Sequence, residues 1–368
     1  VGPADKDGHI SKNYKEKIQK VYNDYKSSPA FLGLFVADEP QSKVIPRVIE
    51  SMKQHREASP KHHPFMNWWA FWPEWNMHGK FASPTDFLVD YVNRSNATFI
   101  IYDNYTQCWP GRYGIHPKYG ETGWAKHFLN LIHFRLASLK SGVPFWATLN
   151  CVDHMNYVVD KITLQWQFNT SICAGASGIM WFYYYARNFN GNSRNAPVDA
   201  LWEKTQRWHD LRKIHLGFRK KYGDLFNGLV NTRLMFHGKT YSGGQMFKSD
   251  GLISKVEAWK ETSPENLELQ VGEFVSGDGK RYVMIVNLSR TRSVCLDISF
   301  PGKRTNVYTF RDGLEVAPKK FSREGDMVIA REWLAPAQEV VFQVDSAAAC
   351  FDPITVESPP SDNCPACK

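Results

Sequence analysis

The 368-residue chain has no apolar run near the roughly 18 residues that a membrane-spanning helix requires. It carries no glycine-rich loop of the kind that cradles phosphates, no Ser-His-Asp arrangement and no cluster of metal-ligand residues, so no cofactor is expected. Acidic residues are the minority: 45 Lys+Arg against 37 Asp+Glu leave a formal charge of +8. The basic residues are spread along helices and loops, which argues for solvated faces and against a nucleic-acid footprint. Cysteine is sparse and odd in number, with Cys108, Cys151, Cys173 and Cys295 in the body of the chain and Cys350, Cys364 and Cys367 near its end. Cys364-Pro-Ala-Cys367 has metal-site spacing without a second pair or nearby histidines, so a disulfide in the tail is the expectation, not a metal.

What is present is a repeated strand-and-helix grammar. Phe31-Leu-Gly-Leu-Phe-Val-Ala-Asp38-Glu39-Pro40 is an unbroken apolar run that ends in two carboxylates and a proline. A strand covered on both faces reads in this way, and proline then stops the ladder because it has no N–H to donate. Similar runs end at Trp72, Tyr105, Asn150 and Tyr185. Between them lie helical stretches over 44–58, 84–92 (opened by Ser83), 124–140, 161–174 and 200–226, with a further helix expected over 10–26. Strands alternating with helices give a parallel sheet with right-handed crossovers.

Five such strands precede residue 190, whereas a (β/α)8 barrel needs eight. The expectation is therefore an α/β chain carrying strands four to eight of a TIM barrel, with strands one to three supplied by a separate N-terminal chain or a missing upstream segment. After Phe226 the pattern changes to short alternating strands separated by turn signals such as Asp278-Gly279, Pro301-Gly302 and Asp312-Gly313, which indicates an antiparallel β-sandwich. The expected division is residues 1–228 for the barrel portion, 229–348 for the sandwich and 349–368 for a Cys/Pro-rich tail.

The succession Asp38-Glu39-Pro40, Phe99-Ile-Ile-Tyr102-Asp103-Asn104-Tyr105, Val143-Pro-Phe-Trp146-Ala, Gln165-Trp166-Gln167, Gly175-Ala-Ser-Gly178-Ile-Met-Trp181-Phe-Tyr-Tyr and Val271-Gly-Glu-Phe-Val-Ser-Gly-Asp-Gly-Lys-Arg-Tyr resembles glycoside-hydrolase-like TIM-barrel proteins with a C-terminal β-sandwich. More distantly it resembles the clan of retaining β-glycosidases. That resemblance implies that Phe31 to Asp38 is strand four and that Glu39 matches the acid/base glutamate. The chain departs from the clan in having Asp38 where Asn usually stands, and in lacking a strand-seven glutamate within Val143 to Asn150.

Glycoside cleavage requires two carboxyl groups flanking the sugar. Asp103 ends a strand two places from that of Glu39, and acids at neighbouring strand ends point into one cavity. Asp38 is placed to hold Glu39 protonated by like-charge repulsion. Trp68, Trp69, Trp72, Tyr105, Trp109 and Trp181 are candidate sugar-stacking rings, and Asp153 is a reserve polar contact. The function expected is a glycoside hydrolase acting on a polysaccharide or glycan. The alternative is a non-catalytic secreted glycoprotein, structural or carbohydrate-binding, derived from such a barrel.

Asn-X-Ser/Thr sequons at Asn93, Asn96, Asn104, Asn169 and Asn287 are compatible with an extracellular or secretory-pathway glycoprotein. Asn96 is the favoured acceptor, in the loop entering a strand on the face opposite the chemistry. Produced through a eukaryotic secretory pathway, the protein should carry a glycan on Asn96 and none on Asn104. Glycopeptide mass spectrometry reads both positions, and a sugar on Asn104 would fill the expected cleft and argue against hydrolysis.

Overall fold

The computed structural model describes residues 13–71, 79–108, 122–154, 158–186, 193–260 and 262–346. Its first part alternates strand and helix: α1 (Tyr14–Tyr25), β1 (Phe35–Asp38), α2 (Ile45–Ala58), β2 (Phe65–Trp69), α3 (Pro84–Ser95), β3 (Ile100–Asp103), α4 (Thr122–Ser141), β4 (Phe145–Asn150), the two-residue β5 (Asp153–His154), α5 (Lys161–Cys173), β6 (Gly178–Phe182), the two-residue β7 (Ser193–Arg194) and α6 (Gln206–Tyr222). β1, β2, β3, β4 and β6 form one parallel sheet in that order. They are five consecutive strands of a (β/α)8 barrel. Among the described residues β1 and β6 each pair on one side only, so the sheet is open.

The helices start where local chemistry predicts. Ser83 Oγ accepts from the Asp86 N–H and donates to the Asp86 carboxylate, Pro84 supplies a preset φ, and the helix stops at Asn96 in a left-handed turn. Asp160 caps α5 and Thr205 caps α6 in the same manner. The last helix is shorter at its start than its sequence suggests. Asp199 Oδ1 accepts from the N–H groups of both Leu201 and Glu203, which turns residues 199–203 into a tight loop before Thr205 can begin the helix.

Each barrel strand has an outer face against the helices and an inner face. Val36, Met66, Trp68, Ile100, Tyr102, Phe145 and Ala147 are buried with Val48, Met52, Leu88, Tyr91 and Phe128 of the helices. On the inner face an aromatic row crosses the strands: Phe35 on Phe65, Phe65 on Phe99 and Phe99 on Trp146, with ring centroids 5.2, 5.6 and 4.6 Å apart. The row ends at Gly178, which pairs with Trp146 in the ladder.

The second part is a two-sheet sandwich. Its strands are β8 (Leu229–His237), β9 (Gln245–Met246), β10 (Lys255–Ala258), β11 (Leu269–Ser276), β12 (Arg281–Asn287), β13 (Val294–Pro301), β14 (Asn306–Arg311), β15 (Leu314–Val316), β16 (Phe321–Glu324), β17 (Met327–Leu334) and β18 (Glu339–Asp345). Seven of them form one sheet and four the other. Between residues 228 and 265, where the sequence shows no clear alternation, the structure has the nine-residue β8. It lies next to the edge of the larger sheet, between β11 and the two-residue β9, and its alternation is broken where Leu234, Met235 and Phe236 are buried in succession.

The larger sheet packs its second face on α5 and α6, where Phe168, Ile172 and Tyr222 meet Phe274, Tyr282, Met284 and Val341. Polar contacts fix this joint. The Trp166 indole donates to Leu288 O at 3.0 Å, Asn169 donates to Ala337 O and to the Glu339 carboxylate, and Gln270 donates to Thr170 O. The Arg290 guanidinium lies 5.1 and 4.6 Å from the Trp124 and Trp166 rings and donates to Gln107 O. Among the described residues Cys108, Cys151, Cys173 and Cys295 are all free thiols; the tail cysteines lie outside the described residues.

Gly178 tests the packing of the inner face. A Cβ there would lie 2.3–2.6 Å from the Trp146 ring. Gly178→Ala should therefore lower stability by about 1–3 kcal/mol, the usual cost of overpacking a fitted core, as read by denaturant unfolding; an unchanged midpoint would show that the Trp146 ring can move aside.

Candidate active site

The candidate acids come together through an irregularity in β1. Phe35 pairs with Phe65, but Ala37, two residues later, pairs with Met66, the next residue of β2, so β1 carries one extra residue. Such a bulge turns the following side chains to the opposite face. Val36 and Ala37 both pack toward the helices, and Asp38 falls into line with Asn67. Glu39 follows with φ +43°, a conformation that costs a non-glycine residue on the order of 1–3 kcal/mol. Its N–H is held by Asn67 O at 3.0 Å.

Asn67 connects the cluster. Its Nδ2 donates to Asp38 Oδ1 at 3.1 Å, its Oδ1 accepts from Thr148 Oγ1 at 3.4 Å, and its amide hydrogen-bonds Asp103. Asp103 is buried at the end of β3, in register with Trp69 on one side and Thr148 on the other. It shares a hydrogen bond with Glu39 and another with the Tyr105 hydroxyl, while its Oδ1 is buried without a hydrogen-bond partner. The Tyr105 ring stacks on Phe182 at 5.0 Å, and His154 meets both rings edge-on.

Burial and like charge set the protonation states. Burial, then the negative charges of Asp103 and Asp38, then the hydrogen bond to Asp103 push the Glu39 carboxyl up to about 8. Burial also raises Asp103, to about 6, against the hydrogen bonds from Tyr105, Asn67 and Glu39 that stabilise its charge. Two carboxyls in contact cannot both ionise freely, so the pair shares one proton. Glu39 holds it at neutral pH and donates it to Asp103. Burial and the neighbouring Asp103 charge push the Tyr105 hydroxyl well above its ordinary range, which keeps it a donor.

Of the residues singled out from sequence, Asp38, Glu39, Asp103, Trp69 and Tyr105 meet in this cluster. Three others do not. Trp68 points away from the cavity and is buried against Phe87 and Tyr91 of α3, because alternation along β2 sends neighbours to opposite faces. Trp181 faces α6, where its indole donates to His215 Nε2 at 2.7 Å. Asp153 is fully engaged in fastening a loop: it accepts from Val159 N, Asn195 Nδ2 and Arg207. Trp72 and Trp109 lie outside the described residues.

The sequence reading missed Asn67, Thr148 and Phe182. A polar residue inside an apolar strand, as Asn67 between Met66 and Trp68, was the available signal. Among the sequons, Asn93 and Asn96 are exposed at the end of α3, whereas Asn104, Asn169 and Asn287 are buried and hydrogen-bonded. Among the described residues no group of three His, Cys, Asp or Glu side chains is placed to hold a metal ion, and no helix is long and apolar enough to cross a membrane.

No protein-family model matches the chain, and no curated protein matches it. Solved structures do. A glycoside hydrolase family 5 structure from Bacteroides vulgatus ATCC 8482 aligns over 93% of this chain and 68% of its own, at 11% identity and a TM-score of 0.50. A GH27 β-L-arabinopyranosidase from Geobacillus stearothermophilus aligns over 93% and 65% of the two chains, at 10% identity and a TM-score of 0.42. A β-galactosidase from Marinomonas ef1 aligns over 57% and 43%, at 9% identity and a TM-score of 0.40. The chain thus spans less than two thirds of the length of the latter two. At such identity the first shows a shared fold, a glycosidase-like barrel followed by a sandwich, and says nothing of chemistry.

The Glu39 proton makes a signed prediction. A carboxyl raised above its unfolded value binds more protons in the folded state, so it lowers stability as pH rises from about 4.5 to about 8. Glu39→Gln should therefore gain stability relative to the parent across that window, measured by unfolding at pH 5 and pH 8. Parallel stability curves for the two proteins would show that Glu39 ionises normally.

Proposed function

We propose that the protein is a glycoside hydrolase acting on a polysaccharide or glycan, with Glu39 as general acid and Asp103 as the second carboxylate. The observation that supports this is a pair of neighbouring carboxyls at the carboxyl ends of β1 and β3, where burial and like charge raise Glu39 further than Asp103. That division of roles is what acid-assisted departure of an alcohol needs. Glu39 would deliver its proton to the glycosidic oxygen as the C–O bond breaks. Asp103, ionised and with one oxygen unpartnered, would take the proton of an attacking water or face the positive charge that develops on the sugar. Trp69, in register with Asp103, would form a wall of the cleft.

The spacing bears on the stereochemical outcome. Retaining pairs stand roughly 5–5.5 Å apart and inverting pairs roughly 6.5–9.5 Å, whereas Glu39 and Asp103 are close enough to share a proton. The substrate or its water must therefore enter between Glu39 and Asp103. The same closeness favours the second reading, a non-catalytic carbohydrate-binding or structural glycoprotein in which the pair stays closed. Under either reading we assign the protein to the secretory pathway, supported by exposed Asn93 and Asn96. The unpaired edges of the sheet support closure by three further βα units on another chain or segment.

The test is Glu39→Gln assayed beside the parent on a panel of aryl glycosides. An amide keeps the shape and cannot supply the proton, so turnover should fall by roughly 10²–10⁴-fold with the fold unchanged by circular dichroism. Parental turnover in the variant would refute Glu39 as the acid, and a parent inert on the whole panel would favour the binding protein.

A further inference from the structure

Beyond the last barrel strand the chain displays two largely exposed aromatic side chains. Trp202 is 72% exposed and Tyr184 60% exposed, and the Trp202 ring lies flat on that of Tyr185 with centroids 4.1 Å apart and planes 12° apart. An exposed tryptophan on a slack loop would collapse against the nearest apolar surface. This one is held out. The Asp199 carboxylate accepts from the N–H groups of Leu201 and Glu203, Asp199 O accepts from Trp202 N, and Asp199 N donates to Glu203 O, all within 2.8–3.1 Å. Trp202 itself sits at φ +67°, in the left-handed region. Val198 N donates to Tyr184 O, and Ala186 N to Val198 O, lacing the loop to the strand exit. Thr205, through its N–H and hydroxyl, closes the loop on Pro197 O and Ala196 O.

The platform follows in the chain directly after β6, whose last residue borders the candidate active site. Phe182 stacks on Tyr105, the partner of Asp103, and Tyr185 is three residues further along, at most about 11 Å of extended chain. We propose that Tyr185 and Trp202, with Tyr184 beside them, form a sugar-stacking platform next to the acid pair, and that the substrate is consequently a polysaccharide or long oligosaccharide. The proposal rests on the hydrolase reading for the direction in which the sugar chain runs. A flat aromatic slab suits the C–H face of a pyranose, and presenting it rigid removes the ordering cost that a weak, repetitive ligand could not offset. The neighbours in sequence, Asp199, Glu203 and Lys204, are polar, which suits a hydroxylated ligand better than an apolar one.

The experiment is affinity gel electrophoresis in soluble β-glucan, mannan, xylan and galactan. It compares the parent, Glu39→Gln, Trp202→Ala, Tyr185→Ala and, as a control, Trp333→Ala, which removes a comparably exposed tryptophan from the sandwich. At least one polysaccharide should retard the parent and Glu39→Gln alike. Trp202→Ala and Tyr185→Ala should each weaken that retardation fivefold or more, with melting curves like the parent's, and Trp333→Ala should not. Absence of retardation in all four gels, or parental retardation of both platform variants, overturns the proposal. Self-association of the parent that Trp202→Ala abolishes, without retardation, would assign the face to a second copy and overturn it also. The two readings separate cleanly. Retardation without hydrolysis keeps the platform and removes the enzyme, whereas hydrolysis of small glycosides without retardation keeps the enzyme and removes the platform.

Discussion

A buried backbone must have its hydrogen bonds met, and at the carboxyl end of the sheet the Gln167 side chain meets them for two segments at once. Its Oε1 accepts from Asn150 N and from Gln107 Nε2, and its Nε2 donates to Asn150 O, all within 2.9–3.0 Å. Gln107 in turn donates to Asn104 O, just beyond Asp103. The amide on α5 therefore fixes where β4 ends and how the chain leaves β3. Without it the Asn150 N–H and C=O would lose these bonds, each loss worth about 1–3 kcal/mol, and Gln107, which holds the segment that carries Asp103 and Tyr105, would lose its tie to α5.

The same helix explains why the sandwich is integral to the barrel. α5 is buried all round, which an amphipathic barrel helix facing solvent would not be. Its outer side is covered by the larger sheet, and Arg290, in the loop that follows β12, lies beside the mutually packed Trp124 and Trp166 rings and reaches Gln107 O. Burial lowers the Arg290 guanidinium to about 10, still far above neutral pH, so it enters charged and the two indole faces and a carbonyl replace part of its hydration. Its far end thus touches the turn that follows the candidate active site.

The carboxyl cluster opposes these stabilising contacts. Burying Asp103 beside Glu39 and Asp38 disfavours ionisation, and Glu39 adds a left-handed backbone. Strain and like charge gathered in one place are costs that a fold retains where chemistry or recognition depends on them. Asn67 makes the cluster tenable: its N–H groups face the carboxylates, its O accepts from Glu39 N, and its own position is fixed by Thr148.

Local pattern alone carried the parallel order of five strands, the cap at Ser83, the change to a sandwich and the strand ends bearing Glu39 and Asp103, because each is written in local spacing. It did not carry the bulge in β1, since Val36 and Ala37 are apolar whichever face they take, nor the outward aim of Trp68 and Trp181, which depends on register by a single residue. β8 was invisible because three buried residues in succession, Leu234 to Phe236, break its alternation. Trp202 was hidden inside an apparent helix that Asp199 replaces with a turn. The sequence by itself determined which residue types stand at the strand ends. Only the tertiary structure decided which of them meet, because direction and charge state depend on neighbours distant in the chain: Asn67 for Asp38, Asp103 for Glu39 and Asp199's turn for Trp202.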